Sequence, residues 1–215
     1  MFNQKRSLLE ASRNGNTEEI VAIVRAGADV NARGEGGETA LSEATIWGAD
    51  PHQAAARVRC LLSLGALVGS DDPFCGLGTS VHNAARNGYV AALKELLSRD
   101  GAWAFTRFNQ LGHSSLIAAV RGKHLEAANL LLEAGAPIDA RDETTNSHTA
   151  LGYAVQQRDI EMVKLLLEFG ADPDVRGWMN LSPVELSESD SPTDDPILCA
   201  NIQELLLRAK GERRP

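Results

Sequence analysis

Asn16-Thr17-Glu18-Glu19-Ile20-Val21-Ala22-Ile23-Val24-Arg25-Ala26-Gly27-Ala28-Asp29-Val30-Asn31-Ala32-Arg33 spells out one helix with its start, its apolar stripe and its stop. Asn16 offers a capping side chain, and Glu19 follows three residues on. Ile20, Val21, Ile23 and Val24 recur at helical spacing. Gly27 supplies the left-handed closing residue, and a polar turn leads out through Asn31, read here as a turn asparagine bonding its own backbone. Just upstream, Ser7 to Asn14 reads as a shorter helix stopped at Gly15, which takes the same left-handed closing role. Two short helices and an extended loop make one unit, and neither helix can bury its apolar face alone.

The unit is rewritten along the chain. Gly-Ala recurs at Gly27-Ala28, Gly65-Ala66, Gly101-Ala102, Gly135-Ala136 and Gly170-Ala171, with alanines 38, 36, 34 and 35 residues apart. Thr39, Thr79, Ser114, Thr149 and Ser182 each stand as a hydroxyl cap before a short apolar run. Five residues after the first four hydroxyls come Ala44, Ala84, Ala119 and Ala154, small enough for neighbouring helices to approach closely. Apolar stripes follow at Val58, Leu61 and Leu62, at Leu93, Leu96 and Leu97, at Leu130, Leu131 and Leu132, and at Met162 to Leu167. A period in the thirties without strand-length apolar runs predicts an all-α helical solenoid.

Composition bounds the function. Of 215 residues, 43% are hydrophobic, only 5% aromatic and 23% charged, which suits thin stacked layers of helices. The net charge of −8 and the lack of clustered cations outside Arg208, Lys210, Arg213 and Arg214 argue against a nucleic-acid partner, and the tail cations suit the negative pole of a last helix. Cys60, Cys75 and Cys199 form no CxxC and read as reduced thiols, so the expected location is cytoplasmic. No apolar stretch is long enough for a membrane span, and no signal core is evident.

Thr79-Ser80-Val81-His82-Asn83-Ala84-Ala85-Arg86-Asn87-Gly88 and Leu130-Leu131-Leu132-Glu133-Ala134-Gly135-Ala136-Pro137-Ile138-Asp139-Ala140-Arg141 resemble the ankyrin-repeat family, as does the run from Gly27 to Arg33. The proline of the family pattern stands only at Pro183 and its histidine only at His82. The resemblance implies an ankyrin-repeat solenoid of stacked helix-turn-helix units with β-hairpin-like finger loops. It spans one domain, 1–215, with units at about 1–36, 37–73, 74–110, 111–144, 145–178 and 179–209, terminal units acting as caps, and a basic tail 210–215. About four extra residues around Ala49 to Gln53 form an insertion between the two helices of the second unit, and an acidic insertion, Ser189 to Pro196, precedes the last helix.

Candidate chemistry is sparse. By the resemblance, His82 bonds neighbouring turns and His124 opens an outer helix. His113 and His148 each precede a capping hydroxyl and so occupy equivalent finger positions, either solvent-exposed or part of a shared contact face. Equivalent residues in adjacent units lie about 10 Å apart, too far for joint metal ligation. No nucleophile elbow or phosphate loop is present, and Gly34 to Gly37 reads as a finger turn. The expectation is a non-enzymatic protein with no catalytic residue, no metal and no cofactor.

The resemblance places recognition on the concave groove and the fingers. Groove-facing pairs are then Arg13-Asn14, Ile46-Trp47, Arg86-Asn87, Arg121-Gly122 and Gln156-Gln157, with Glu10, Glu43, Asn83, Ala118 and Tyr153 at the preceding exposed helix position. Trp47 either lies under the insertion or is presented to a partner. Phe74, Phe108, Trp178 and Met179, with Phe105 nearby, either fold back over the fingers or form an apolar ridge. Flanked by Asp71, Asp72, Asp142 and Glu143, such a ridge suits a protein partner with basic rims around apolar pockets. The expected function is protein-protein interaction by a monomer. The alternative is an inhibitor or immunity-type protein that blocks a toxin or enzyme.

Overall fold

The computed structural model describes residues 2–46, 50–69, 78–100, 109, 113–141, 148–188 and 195–212, without the side chains of 2–6, 100, 178 and 212. Trp47, Phe74, Phe105, Phe108, the acidic residues 71, 72, 142 and 143, residues 189–194 of the last insertion and the side chain of Trp178 lie outside the described residues.

Twelve helices run through these segments. The inner ones are α1 (Phe2–Asn14), α3 (Ala40–Ala44), α5 (Ser80–Arg86), α7 (Ser115–Arg121), α9 (Ala150–Gln156) and α11 (Pro183–Ser187). Each is followed by an outer helix: α2 (Thr17–Arg25), α4 (Pro51–Ser63), α6 (Val90–Asp100), α8 (Leu125–Glu133), α10 (Ile160–Glu168) and α12 (Pro196–Glu212). Inner helices pack on the next inner helix and outer on the next outer, in sequence order from one end to the other. The described backbone is helix, turn and coil without strands, so the fold is all-α.

Local chemistry sets the helix ends. Asn16, Thr39, Ser114, Thr149 and Ser182 each accept a backbone N–H at the third position of the helix they open. Thr39 with Ser42, and Ser182 with Glu185, complete reciprocal capping boxes. Gly27, Gly65, Gly135 and Gly170 close the outer helices α2, α4, α8 and α10 with φ between 89° and 97°, as the repeated Gly-Ala pair predicts.

Gly15 departs from that expectation. It is not left-handed, and its role is space: a Cβ there would meet the Ala11 carbonyl oxygen and Glu19 Oε2, both at 2.7 Å. The insertion in the second pair also differs from a loop. Asp50 caps and Pro51 opens α4, so His52 and Gln53 are helical and α4 runs 13 residues where α8 and α10 run nine. Proline is preorganised for a first helical turn, which makes extension of the helix the cheaper solution.

The core is one continuous strip. Ile20, Leu61, Leu93, Leu96, Leu131, Met162 and Leu166 of the outer helices are fully buried, as are Leu41, Leu116, Ile117 and Leu151 of the inner ones. Ala44, Ala84, Ala119 and Ala154 are all at 0% exposure.

Neighbouring positions separate the two kinds of constraint. Leu61→Ala removes fully buried volume and is expected to cost about 2–5 kcal/mol. Gly65→Ala meets nothing within 4 Å and carries only left-handed backbone strain, about 1–2 kcal/mol. Urea unfolding of the two variants checks this, and equal losses would contradict it.

Candidate functional site

The edge where each inner helix turns into its outer partner is built in register. The last inner-helix residue, seven after the capping hydroxyl, is Arg86 in α5, Arg121 in α7 and Gln156 in α9; Ile46 holds that place just after α3, and Arg13 holds it near the end of α1. Side chains then tie each turn to the one before. Asn87 Nδ2 donates to the Thr45 carbonyl at 2.9 Å, and Gln157 Nε2 to the Arg121 carbonyl at 3.4 Å. Between α5 and α7 the tie is steric: a Cβ on Gly122 would run into the Arg86 carbonyl oxygen, so only glycine lets these turns abut.

In two units the position four after the hydroxyl receives the arginine of the preceding unit. Arg13 pairs with Glu43 through Nε and Oε2, and this carboxylate holds the guanidinium proton above its ordinary range. Arg121 Cζ lies 5.0 Å from the Tyr153 ring centroid, within cation–π range. Glu43, Asn83 and Ala118 are 4%, 7% and 5% exposed, which corrects the expectation that this position faces solvent. At Glu43 the cover is the end of the previous inner helix, through Arg13. Tyr153 is half-buried.

His113 and His148 are also corrected, since both are buried rather than presented on fingers. Each stands at the base of a finger, where it packs edge-on to Tyr153 with ring centroids 5.4 Å apart. His82 is structural, in line with the resemblance. Its Nε2 lies 3.1 Å from the His113 carbonyl, which can only accept, so Nε2 carries the proton and Nδ1 accepts from Thr79 Oγ1 at 2.9 Å. That contact replaces the usual cap: the Thr79 hydroxyl bonds the His82 ring of its own helix and accepts no backbone N–H at the helix start. His113 Nε2 faces Arg121 Nη1 and the Tyr153 hydroxyl, each at 3.1 Å. A guanidinium only donates, so Nε2 accepts and the His113 proton sits on Nδ1.

Of the other expected contact residues, Ile46, Arg86 and Asn87 are half-buried, while Arg121, Gln156 and Met179 are exposed. Met179 is left-handed (φ 57°) at the tip of a turn that Gly177 N–H closes onto the Leu181 carbonyl at 2.9 Å. Lys123 (φ 58°) and Arg158 (φ 54°) also take left-handed backbone where α5's turn has Gly88 (φ 68°). A non-glycine residue there costs about 1 kcal/mol.

Two features escaped the sequence reading. Arg57 is 2% exposed in α4, at the register position filled by Ala92, Ala127 and Met162 in later outer helices. Its Nη1 donates to the Gly15 carbonyl at 3.3 Å, and burial lowers its pKa. Aligning the outer helices on their Leu-Leu pairs would have exposed the anomaly. Asn31, expected to bond only locally, instead reaches the next unit: Nδ2 donates to the Gly65 carbonyl and Oδ1 accepts from Leu67 N–H at 2.8 Å. Asp139 repeats the device with Asp172 N–H at 3.0 Å. Lys210 likewise does more than suit a helix pole, pairing with Asp174 at 2.6 Å.

Among the described residues no three His, Cys, Asp or Glu side chains gather in a metal-sized group, and no helix is long and apolar enough to cross a membrane. An open groove of about 730 Å³ lies on the outer side between α2 and α4, lined by Thr17, Val21, Ala22, Ala56 and Cys60 among others. Burial pushes the Cys60 thiol up, away from reactive thiolate.

The family model for ankyrin repeats (3 copies) matches residues 51–142 and 81–177. The chain belongs to the ankyrin-repeat family. An ankyrin repeat domain from Acinetobacter baumannii AYE shares the fold with a TM-score of 0.76 at 24% identity, covering 94% of this chain and 97% of that one. The ankyrin repeat domain of Bcl-3, a member of the IκB protein family, gives a TM-score of 0.68 at 23% identity, with 94% and 97% covered. At such identities the likeness speaks to fold alone. The Caenorhabditis elegans protein mask-1, an ankyrin repeat and KH domain-containing protein, is 32% identical over 125 residues, 58% of this chain and 4% of its own length. Ankyrin repeats are generally protein-protein interaction modules and typically non-enzymatic.

The histidine cluster generates a pH prediction. Burial, then the nearby Arg121 charge and His82, lower the His113 pKa from 6.5 to about 4. The unfolded chain therefore takes up this proton first, so the contribution is complete above pH 6.5 and is lost as pH falls towards 4. Burial lowers His148 in the same direction. Urea unfolding should show stability falling by up to about 1.4 kcal/mol per pH unit for His113 across that window. His113→Gln should flatten the slope; an unchanged slope would remove His113 from the account.

Proposed function

We propose that this ankyrin-repeat array, a single domain of six units, is a non-enzymatic module that holds a protein partner along the edge lined by Ile46, Arg86, Asn87, Arg121, Tyr153 and Gln156. Exposed Met179 belongs to the same surface, and the family resemblance assigns Trp47, Phe74, Phe108 and Trp178 to it as well. Glu43, His113 and His148, buried as they are, serve it from beneath: Glu43 anchors Arg13, and the two histidines fix the Tyr153 ring. The observation that carries this reading is the register itself. Each unit delivers its inner-helix end to the same edge, and Asn87, Gln157 and Gly122 lock successive ends together. An edge held this rigidly loses little conformational freedom on binding, which favours affinity.

A photo-crosslinking residue placed at Ile46 or Gln156 should capture partner protein, while one at Arg25 or Ser63 on the outer side should not. Crosslinks from the outer positions alone would end the groove reading. If the captured partner is an enzyme or toxin that loses activity on binding, the module is an inhibitor; retained activity makes it an adaptor.

A further inference from the structure

The groove edge has one interface where the repeated arginine lacks its counter-group. Arg13 of the first helix pair finds Glu43 in the next inner helix. Arg121 finds the Tyr153 ring and His113 Nε2. For Arg86 the corresponding position, four residues after Ser114, is Ala118, which offers no acceptor. Among the described residues Arg86 has no hydrogen bond or ion pair, although it is half-buried, and its desolvation lowers its pKa. A half-buried guanidinium without a carboxylate is a costly thing to keep unless something outside the chain supplies one.

The surroundings have the same sign. Helices α5, α7 and α9 contain no acidic residue at all. Arg121, exposed and held through neutral groups, keeps its charge uncompensated by any described carboxylate. Lys123 is exposed beside it, in the left-handed conformation that Gly88 adopts one unit earlier. Left-handed non-glycine backbone is among the strained features that gather at ligand clamps. The chain as a whole is net negative at −8. Screening over about 8 Å at physiological salt leaves a short segment sensitive to the local cations, whereas an extended polyanion such as RNA meets the whole field.

We propose that the groove receives an acidic segment of its protein partner, with a carboxylate bound by Arg86 and Arg121 in the role that Glu43 plays for Arg13. This rests on the groove reading above and names its ligand chemistry. It departs from the basic-rimmed partner expected from Asp71, Asp72, Asp142 and Glu143, because the formal charges on α5, α7 and α9, those of Arg86 and Arg121, have the opposite sign.

The test uses the full chain and three fluorescent probes: octaglutamate, octalysine and an octauridylate RNA. Octaglutamate should bind in a salt-sensitive way and more tightly than either other probe. Arg86→Glu with Arg121→Glu should weaken it at least about tenfold and favour octalysine instead. Ala118→Glu restores an internal counter-group at the Glu43 register, so it should compete for Arg86 and weaken octaglutamate without charge reversal. The outer-side control Arg25→Glu with Lys94→Glu should change nothing, and thermal melts establish that each variant is folded. Tighter binding of octalysine or RNA to the unmodified chain, equal weakening by the outer control, or no octaglutamate binding would overturn the proposal. In the last case crosslinks from Ile46 or Gln156 would leave the groove reading standing without its acidic ligand.

Discussion

Close approach between successive inner helices is the constraint from which the rest follows. Ala44, Ala84, Ala119 and Ala154 are completely buried on helices of only five to seven residues, too short to be stable alone. Their stability comes from stacking, and a small side chain at that place lets the rows come together. Outer helices then supply the larger volume through Leu61, Leu93, Leu131 and Leu166. Hydroxyl caps start α3, α7, α9 and α11, and left-handed glycines stop α2, α4, α8 and α10, so stacking carries the ends into register as well.

That register turns a packing solution into a surface. Because each helix end falls over the next inner helix, one position can be an ion pair, a cation–π contact or a bare arginine, depending on whether the next unit writes Glu43, Tyr153 or Ala118. The scaffold is unchanged among the three, while the electrostatics are different. A repeat architecture thus separates stability, set by apolar and small residues, from recognition, set by a few positions along one edge. The His82–His113–Tyr153–Arg121 chain shows the two meeting, since buried neutral histidines orient an exposed arginine.

What the sequence made legible was whatever depends on local chemistry. The Gly-Ala pairs announced the left-handed stops, the hydroxyls announced the caps, and the alanines five residues on announced the close contacts. The misses share a cause, which is contact between units. Glu43 was placed in solvent because nothing local says that Arg13 will cover it. His113 and His148 were placed on fingers, but Tyr153 draws both into the wall. Thr79 kept its place before a helix yet spends its hydroxyl on His82. Arg57 passed unnoticed since a single arginine in an amphipathic helix looks ordinary until the helices are aligned on one another.

Native-state amide hydrogen exchange on Ala119→Leu measures the stacking constraint most directly. A leucine there forces α7 away from its inner neighbours, α5 and α9. The account predicts that protection is lost first in α5, α7 and α9 and in the outer helices paired with them, while α1, α2 and α12 hold theirs. Uniform loss across all twelve helices, or no loss anywhere, would contradict a fold held together by nearest-neighbour stacking.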